Sequence, residues 1–473
     1  MNLIKIENIN LGGISDSLYQ GQSDSVTEAV GFNIHSEPGI LKNNQKLTKE
    51  SESTIDDLCK TILVCSDGNT YLFGSTNGKV WKRTSAGVYS LVATISPEAG
   101  SAGVLDAYEY RGYIYYCTQN RLGRVIVGDP TDWSGRSDNF SVFTNGNASY
   151  HPIKEVNQVM YIGDGNLLAQ VDDGVFTADA LDIKEPLIIK SLGKISTDIL
   201  LGTYVNDNII KSEILRWNTW SESFSVADEI PETGVNSFLD IDNYVLASAG
   251  DKGNLYYYNG TQLENYKRIK GDWTGSNKAT VYQQATCNYF GLPFFGLSNT
   301  SGNPTNLGLY SMGGYDRNYP KVLNLENVIS TGNKENIEIG AVKLVGDILL
   351  VSWKDTNDTT TYGIDKIDST AKVSSAYIST RVINVSRSEN KLFTCNVGYR
   401  SLPSGSSIKI YYKVNYASSW TEMDTTTDTI RNIITAKYKF PEASTLEVKI
   451  ESNASSTSVN ESPEIDIIEI LFE

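Results

Sequence analysis

Val159-Met160-Tyr161-Ile162, the pair Asp164-Gly165 and the run Leu167-Leu168-Ala169-Gln170-Val171 place an apolar strand, a tight turn and a second strand side by side. Aromatic and β-branched side chains suit a pleated strand, and Asp-Gly takes the positive φ that a two-residue hairpin requires. The unit recurs along the chain. Its first strand returns as Tyr71-Leu72-Phe73-Gly74, Tyr113-Ile114-Tyr115-Tyr116, Ile199-Leu200-Leu201-Gly202, Tyr244-Val245-Leu246-Ala247, Leu292-Pro293-Phe294-Phe295 and Ile348-Leu349-Leu350-Val351. Successive starts, from residue 71 onward, lie 42, 46, 40, 45, 48 and 56 residues apart. A polar turn and another strand follow each, at 79–82, 123–126, 214–217, 254–258, 307–311 and 361–364, with Asn77-Gly78 and Asp251-Lys252-Gly253 among the turns. A strand-built period of ~40–50 residues marks radial blades more than a sandwich. Residues 56–379 are therefore expected to form a β-propeller of six to eight blades, with seven favoured.

The rest of the chain reads differently at each end. Residues 1–55 are polar and rich in Gly and Asn, with one short strand at residues 3–6, and hold too few apolar side chains to fold alone. They are expected to be an extended arm laid on a neighbouring subunit, or a strand that closes the propeller by joining its last blade. From about residue 380 the strands lengthen and alternate, as in Ile408-Lys409-Ile410-Tyr411-Tyr412-Lys413-Val414, which buries one face and wets the other. An antiparallel β-sandwich is expected over 380–473. Tyr (28 copies) outnumbers Phe (13) and Met (4), and periodic helical runs are absent, so the class is all-β.

The formal charge of −16 argues against tight base-reading contact with nucleic acid and against adhesion to an anionic membrane, though not against a wall past which DNA slides. No stretch approaches ~18 uninterrupted apolar residues and the start carries no signal-peptide core, so the expected setting is a cytoplasm, with no membrane insertion. The five cysteines (Cys59, Cys65, Cys117, Cys287, Cys395) are scattered without a Cys-x-x-Cys pair and read as buried free thiols.

Candidate chemistry is sparse. The two histidines, His35 and His151, lie far apart, which argues against a His-centred triad or metal site. The acidic pairs Asp172-Asp173 and Asp240-Asp242 could in principle serve glycoside hydrolysis, but both adjoin turns and read as solvated hairpin carboxylates. Ser75-Thr76-Asn77-Gly78-Lys79-Val80-Trp81 lacks the Asp of a sialidase-type turn and reads as a blade hairpin. No phosphate-binding loop or EF-hand spacing occurs. No catalytic, cofactor-binding or metal-binding residue is assigned, and no cofactor is expected. Of the seven tryptophans, Trp217 and Trp220, on a polar stretch, are the pair singled out for ligand stacking; packing between blades is the alternative for all.

Asn10-Leu11-Gly12-Gly13-Ile14-Ser15-Asp16-Ser17, then Ala29, Asn33 and Pro38-Gly39-Ile40-Leu41, resemble the opening of many tailed-bacteriophage virion proteins, where a Gly-Gly-x-Ser stretch precedes an Asn and a Gly-containing turn into the first blade. Ile378-Ser379-Thr380-Arg381 and Leu402-Pro403-Ser404-Gly405-Ser406-Ser407-Ile408-Lys409-Ile410 are similar to C-terminal sandwiches of phage tail proteins. Arm, propeller and sandwich together resemble the tail hub or nozzle proteins of short-tailed phages, also called packaged-DNA stabilisation proteins. The resemblance implies a structural virion protein, a homo-oligomeric ring commonly of six subunits, contacts with portal or adaptor and tail-fibre proteins, and genomic DNA passing without sequence-specific binding. It implies no catalytic residues. The alternatives are a receptor- or glycan-binding propeller of a fibre or cell surface and, third, a glycan hydrolase.

Strand and turn signals fill the chain from residue 58 to 472. Far-ultraviolet circular dichroism of the purified protein is expected to show a β spectrum; helix above about 25%, near the globular average, would overturn the class.

Overall fold

The computed structural model describes residues 2–7, 12–15, 17, 19, 24–37, 39–51, 55–95, 103–129, 133–146, 149–205, 211–241, 244–313, 322–385, 391–430, 432–440 and 443–472. Every named element among them is a strand. The chain divides into two compact units, residues 49–307 with 331–366, and residues 1–48 with 308–330 and 367–473.

In the first unit, Cys59–Val64, Thr70–Gly74, Lys79–Arg83 and Tyr89–Thr94 form a four-stranded antiparallel meander. Four more such sheets follow, opening with Asp106–Tyr110, Ile153–Val156, Leu187–Ile195 and Val235–Ile241. Thr286–Tyr289 then pairs with Leu292–Ser301, and Ile337–Val345, Ile348–Asp355 and Thr361–Lys372 build a last sheet. The opening strands pack one beside the next, and Ile337–Val345 returns to pack beside Cys59–Val64, so the sheets close a circle. This is a β-propeller. Second strands such as Thr70–Gly74 are buried along their whole length, whereas an outermost strand such as Val175–Asp182 stays largely wet. Where the circle closes, Gly340 is obligatory: a Cβ there would stand 2.4 Å from the Cys59 carbonyl oxygen.

The last sheet takes its fourth strand, Gln45–Lys49, from the start of the chain. The ladder continues past it. Glu50 and Ser51 N–H groups donate to the Ile364 carbonyl (2.8 and 3.3 Å), and Ile364 N–H donates to Ser51 Oγ (2.9 Å). Glu50 then reaches the first sheet: Arg83 Nε and Nη2 each donate to its carboxylate at 2.8 Å, and Tyr89 OH at 2.7 Å. Both charged side chains are buried. Of the two fates expected for residues 1–55, the second is therefore the one observed at Gln45–Lys49; this segment is not an arm projecting from the fold.

In the second unit, one sheet runs Asn2–Ile6, Glu464–Phe472, Lys391–Ser401, Ile433–Phe440. Another carries Gly308–Gly313, Val322–Asn327, Glu28–Val30, Ser375–Ser379, Thr445–Asn453, Ser407–Val414 and Thr421–Thr426 in that order. Both feed one core: Ile408, Ile410 and Ile450 from the latter meet Phe393, Val397 and Ile468 from the former. The alternation read at residues 408–414 holds, with Ile408, Ile410 and Tyr412 inward. Asn43, fully buried, ties the start of the chain to this core by donating to the Val373 and Ser452 carbonyls (2.8 and 3.1 Å) and accepting from Ser452 Oγ (2.6 Å).

The boundaries expected at 55/56 and 379/380 are corrected by this layout. Glu28–Val30 pairs antiparallel with Ser375–Ser379 and parallel with Val322–Asn327, so residues 1–48 and 308–330 belong with the C-terminal strands. Strand pairing across hundreds of residues leaves no trace in local composition.

Arg83→Met leaves the buried Glu50 only the Tyr89 hydroxyl and Lys366 at 3.5 Å and is expected to lower the unfolding free energy by roughly 3 kcal/mol in urea titrations. Burial disfavours the Glu50 charge, but the Arg83 and Tyr89 hydrogen bonds and the Arg83 and Lys366 charges outweigh it, so its pKa falls below the ordinary 4.5. The latch therefore contributes above pH 4.5 and is lost as pH drops through the lowered value; stability of the wild type, not of Arg83→Met, should show that acid limb.

Candidate functional site

The opening strands of the propeller sheets surround its axis, and a cavity of ≈ 450 Å³ lies at their starting ends. The segment after Lys278–Thr280 turns into this space and binds several sheets at once. Tyr282 OH donates to Glu338 (2.7 Å), Gln283 Nε2 to the Leu192 carbonyl (2.7 Å) and Gln284 Nε2 to Asp106 (2.9 Å), while Val342 N–H donates to the Gln284 carbonyl (2.9 Å).

Asp106 is the polar centre of the site. Its carboxylate accepts from Thr61 Oγ1 (3.2 Å), Ala107 N–H (2.9 Å), Ile153 N–H (2.9 Å) and Gln284, which join three opening strands and the inserted segment. Burial raises its pKa to about 6, against the pull of those hydrogen bonds. Cavity-lining charges are Lys60, Lys190 and Lys278 against Asp106 and Asp251, an excess of one lysine in a chain of net charge −16. Lys278 pairs with Asp251 at 3.0 Å. Lys190 donates to Asn236 Oδ1 (2.6 Å) and lies over the Tyr150 ring (5.3 Å); Lys60 lies 4.5 Å over Tyr282. Burial lowers both ammonium pKa values, that of Lys190 to about 8. His151 also lines the cavity, stacked on Phe143 (centroids 4.0 Å) with Nδ1 2.7 Å from the Gly163 carbonyl, and burial favours its neutral ring.

At the other end of the opening strands a second hollow of ≈ 570 Å³ is lined by Glu109 and Glu155 against Arg111 and Lys343. Glu109 accepts from Ser66 N–H (2.7 Å), and Glu155 from Tyr108 OH (3.1 Å), so each carboxylate already has a partner.

The tryptophan pair does not converge. Trp217 is 3% exposed; its Nε1–H donates to the Ser221 carbonyl (2.8 Å) and its ring meets Tyr161 edge-on, so it packs and stacks no ligand. Trp220 is 86% exposed. Asp172 and Asp173 cap an exposed hairpin facing Arg111, and Asp240 pairs with Lys154 (3.1 Å), while Asp242 lies outside the described residues. Four of the cysteines are buried and Cys287 is half-buried. Among the described residues no three His, Cys, Asp or Glu side chains gather as a metal would require. Among the described residues no helix is long and apolar enough to cross a membrane.

Sequence reasoning missed one constellation in the second unit. His35 Nε2 lies 2.9 Å from Ser311 Oγ, which donates to Glu326. Burial raises the Glu326 pKa to about 7. With its proton committed to Glu326 and no exposed surface, Ser311 is not an activated nucleophile. No spacing signal links residues 35, 311 and 326; only the strand pairing brings them together.

No family model matches the chain, and no curated protein does. Among solved structures it is similar to the extracellular domain of the hybrid two component system BT4673 from B. thetaiotaomicron (13% identity, TM-score 0.46, 80% of this chain and 44% of that one). It is also similar to virginiamycin B lyase from Staphylococcus aureus (12%, TM-score 0.41, 63% and 96%) and to the N-terminal domain of Nup159 (9%, TM-score 0.40, 68% and 95%). The chain spans about half the length of the BT4673 structures it matches. The fold assignment above rests on the sheets themselves.

The Asp106 carboxyl should titrate near pH 6 in carbon-detected NMR, against 3.8 for an ordinary aspartate. A raised folded-state value means that Asp106 favours folding below pH 3.8 and that this contribution is lost as pH rises through about 6. Asp106→Asn, which turns an amide N–H₂ toward existing donors, is expected to cost roughly 1–3 kcal/mol in thermal or urea unfolding.

Proposed function

We propose that the chain is a structural protein of a short-tailed bacteriophage virion, a hub or nozzle subunit with a seven-bladed propeller and a C-terminal sandwich. Subunits form a ring, six being favoured, assembled in the host cytoplasm, that extends the ejection channel below portal and adaptor, retains packaged DNA and offers surfaces to fibres. The protein catalyses no reaction. One observation carries this reading: at the start of the chain, described residues behind the resemblance serve packing and turns. Gly12 stands where a Cβ would lie 2.3 Å from Ser25 N, and Gly13, at φ +59°, where it would lie 2.6 Å from Val322 Cβ. Ala29, Ile40 and Leu41 are buried, and Asn33 Oδ1 accepts from His35 and Ser36 N–H groups (3.1 and 3.0 Å). Asn10, Leu11, Asp16 and Pro38 lie outside the described residues. A motif with this use marks an architecture, and the net charge of −16 suits a wall that must not hold DNA.

Antibody against the chain, imaged on negatively stained virions, should label the tail axis; peripheral label would remove the hub assignment. Purified protein should bind duplex DNA no tighter than about micromolar at physiological salt, the non-specific range. A second reading, a glycan-binding propeller of a fibre, is favoured by Trp220 alone, whose indole is open to a sugar face. Loss of glycan-array binding in Trp220→Ala, without axial label, would establish that reading instead.

A further inference from the structure

We infer that Glu326, with Asn44, Ser311, Asn324 and His35 around it, is a pH-sensitive clasp that holds residues 31–44 on the strand Val322–Asn327 and loosens that segment as the carboxyl ionises. Nothing in this rests on the tail assignment. Leu309 pairs with Asn327 and Tyr310 with Leu325, so Glu326 is the extra residue of a β-bulge. A bulge re-aims a side chain, and this one turns a buried carboxyl, 3% exposed, toward the start of the chain. Its Oε2 accepts from Asn44 Nδ2, and its Oε1 accepts from Ser311 Oγ and from Asn324 Nδ2, the last at 2.9 Å. Asn324 Nδ2 also donates to the Phe32 carbonyl (2.7 Å), and Ser311 Oγ lies 2.9 Å from His35 Nε2. Residues 32, 35 and 44 are thus fastened through one carboxyl and the two side chains that bond it. Backbone bonds close the same segment, Gly31 N–H on the Leu325 carbonyl (3.1 Å) and Asn44 N–H on the Gly31 carbonyl (2.7 Å).

Two amides and a hydroxyl orient a carboxylate without supplying charge to pair it, and a buried charge left in that state is costly. Among the described residues the titratable group that faces Glu326 is His35, whose Nε2 lies 3.8 Å from Oε1 and whose side chain is as deeply buried. Tyr310 alternates with Ser311 along its strand and turns to the opposite face, where it interacts with Glu28 and Tyr377. Glu37 and Lys42, on the fastened segment, pair with each other at 2.7 Å and are open to water. Burial therefore favours the protonated Glu326 carboxyl, against the pull of Ser311 and Asn324, and raises its pKa from 4.5 to about 7. With the folded-state value raised, the clasp is at full strength below pH 4.5 and is lost as pH rises through about 7. Asn44 directly precedes Gln45–Lys49, the strand that completes the last propeller sheet, so the segment that loosens is the lead into that strand.

The test is hydrogen–deuterium exchange of the full chain, read in peptides covering residues 31–44 at pH 5 to 7.5 and corrected for the intrinsic pH dependence of exchange. The opening equilibrium of this segment should rise at least about tenfold over that range. Glu326→Gln, which keeps the shape and cannot ionise, should flatten the profile to within about twofold, whereas His35→Gln should keep the rise. If Glu326→Gln fails to fold, carbon-detected NMR of selectively labelled wild-type protein reads the same point, with Glu326 titrating near 7. A smaller rise in the wild type, a rise that survives in Glu326→Gln, or a Glu326 carboxyl that titrates near 4.5 overturns the proposal; loss of the rise in His35→Gln gives the titration to the histidine and overturns the assignment to Glu326.

Discussion

A circle of sheets is free of an open edge only if its two ends meet, and here they meet at Glu50 and Ser51. The backbone of these residues completes the ladder on Ile364, and the Glu50 side chain crosses to Arg83 and Tyr89 on the first sheet. The Ile364–Ser51 bond spans 313 positions of sequence. Such a contact cannot form until the sheets between are in place, because its loop-closure entropy is recovered only when neighbours already pack. Until then Thr361–Lys372 lacks its neighbour Gln45–Lys49, and an exposed strand edge of this kind invites pairing with other chains. A bidentate, buried ion pair is well suited to the junction. It is directional, so it fixes the register at which the last sheet meets the first, a property that apolar contact between Ile55, Trp81 and Ile364 would supply less sharply.

That closure also makes the axis a low-dielectric place. Once the opening strands face one another, polar groups at their ends lose water and must find protein partners. Asp106 does so by collecting donors from three strands and from Gln284, which pins the inserted segment across the axis. Lys60 and Lys190 do so through rings, an amide and the nearby carboxylates of Glu338 and Asp57 for the first and Asp251 for the second. The same geometric event thus desolvates acid and ammonium alike, raising the pKa of Asp106 and lowering those of Lys60 and Lys190.

How much of this was legible in the sequence follows from which strands are buried on both faces. Thr70–Gly74, Tyr113–Cys117, Val159–Asp164 and Ile348–Asp355 lie within their sheets, read as short apolar runs, and were located to within a few residues. Opening strands mix a buried acid with half-buried groups, as in Asp106-Ala107-Tyr108-Glu109-Tyr110, and carry no clean period. Outermost strands such as Val175–Asp182 are half wet and look like loops. The axial site was invisible for a related reason: a lysine such as Lys190 reads as a solvated side chain until circular closure buries it. Trp217 and Trp220 are three residues apart and differ in exposure from 3% to 86%, a distinction made by the hairpin and not by composition. The start of the chain misled in the opposite sense. Its few apolar residues cannot make a core among themselves, yet Ala29, Phe32 and Ile34 are fully buried because the C-terminal strands provide the rest of that core.

The glycine pair at residues 12 and 13 shows what a weak sequence resemblance can carry. Each glycine is required by a backbone or side chain brought from elsewhere, Ser25 in one case and Val322 in the other, so the pair records how the chain is threaded. Threading is shared by proteins that assemble alike, whereas side chains of the axis such as Lys60 and Lys190 belong to no such motif. The lysines of the axis and the glycines of the threaded segment answer to separate physical demands, desolvation in one and steric clearance in the other, and a change in either leaves the other intact.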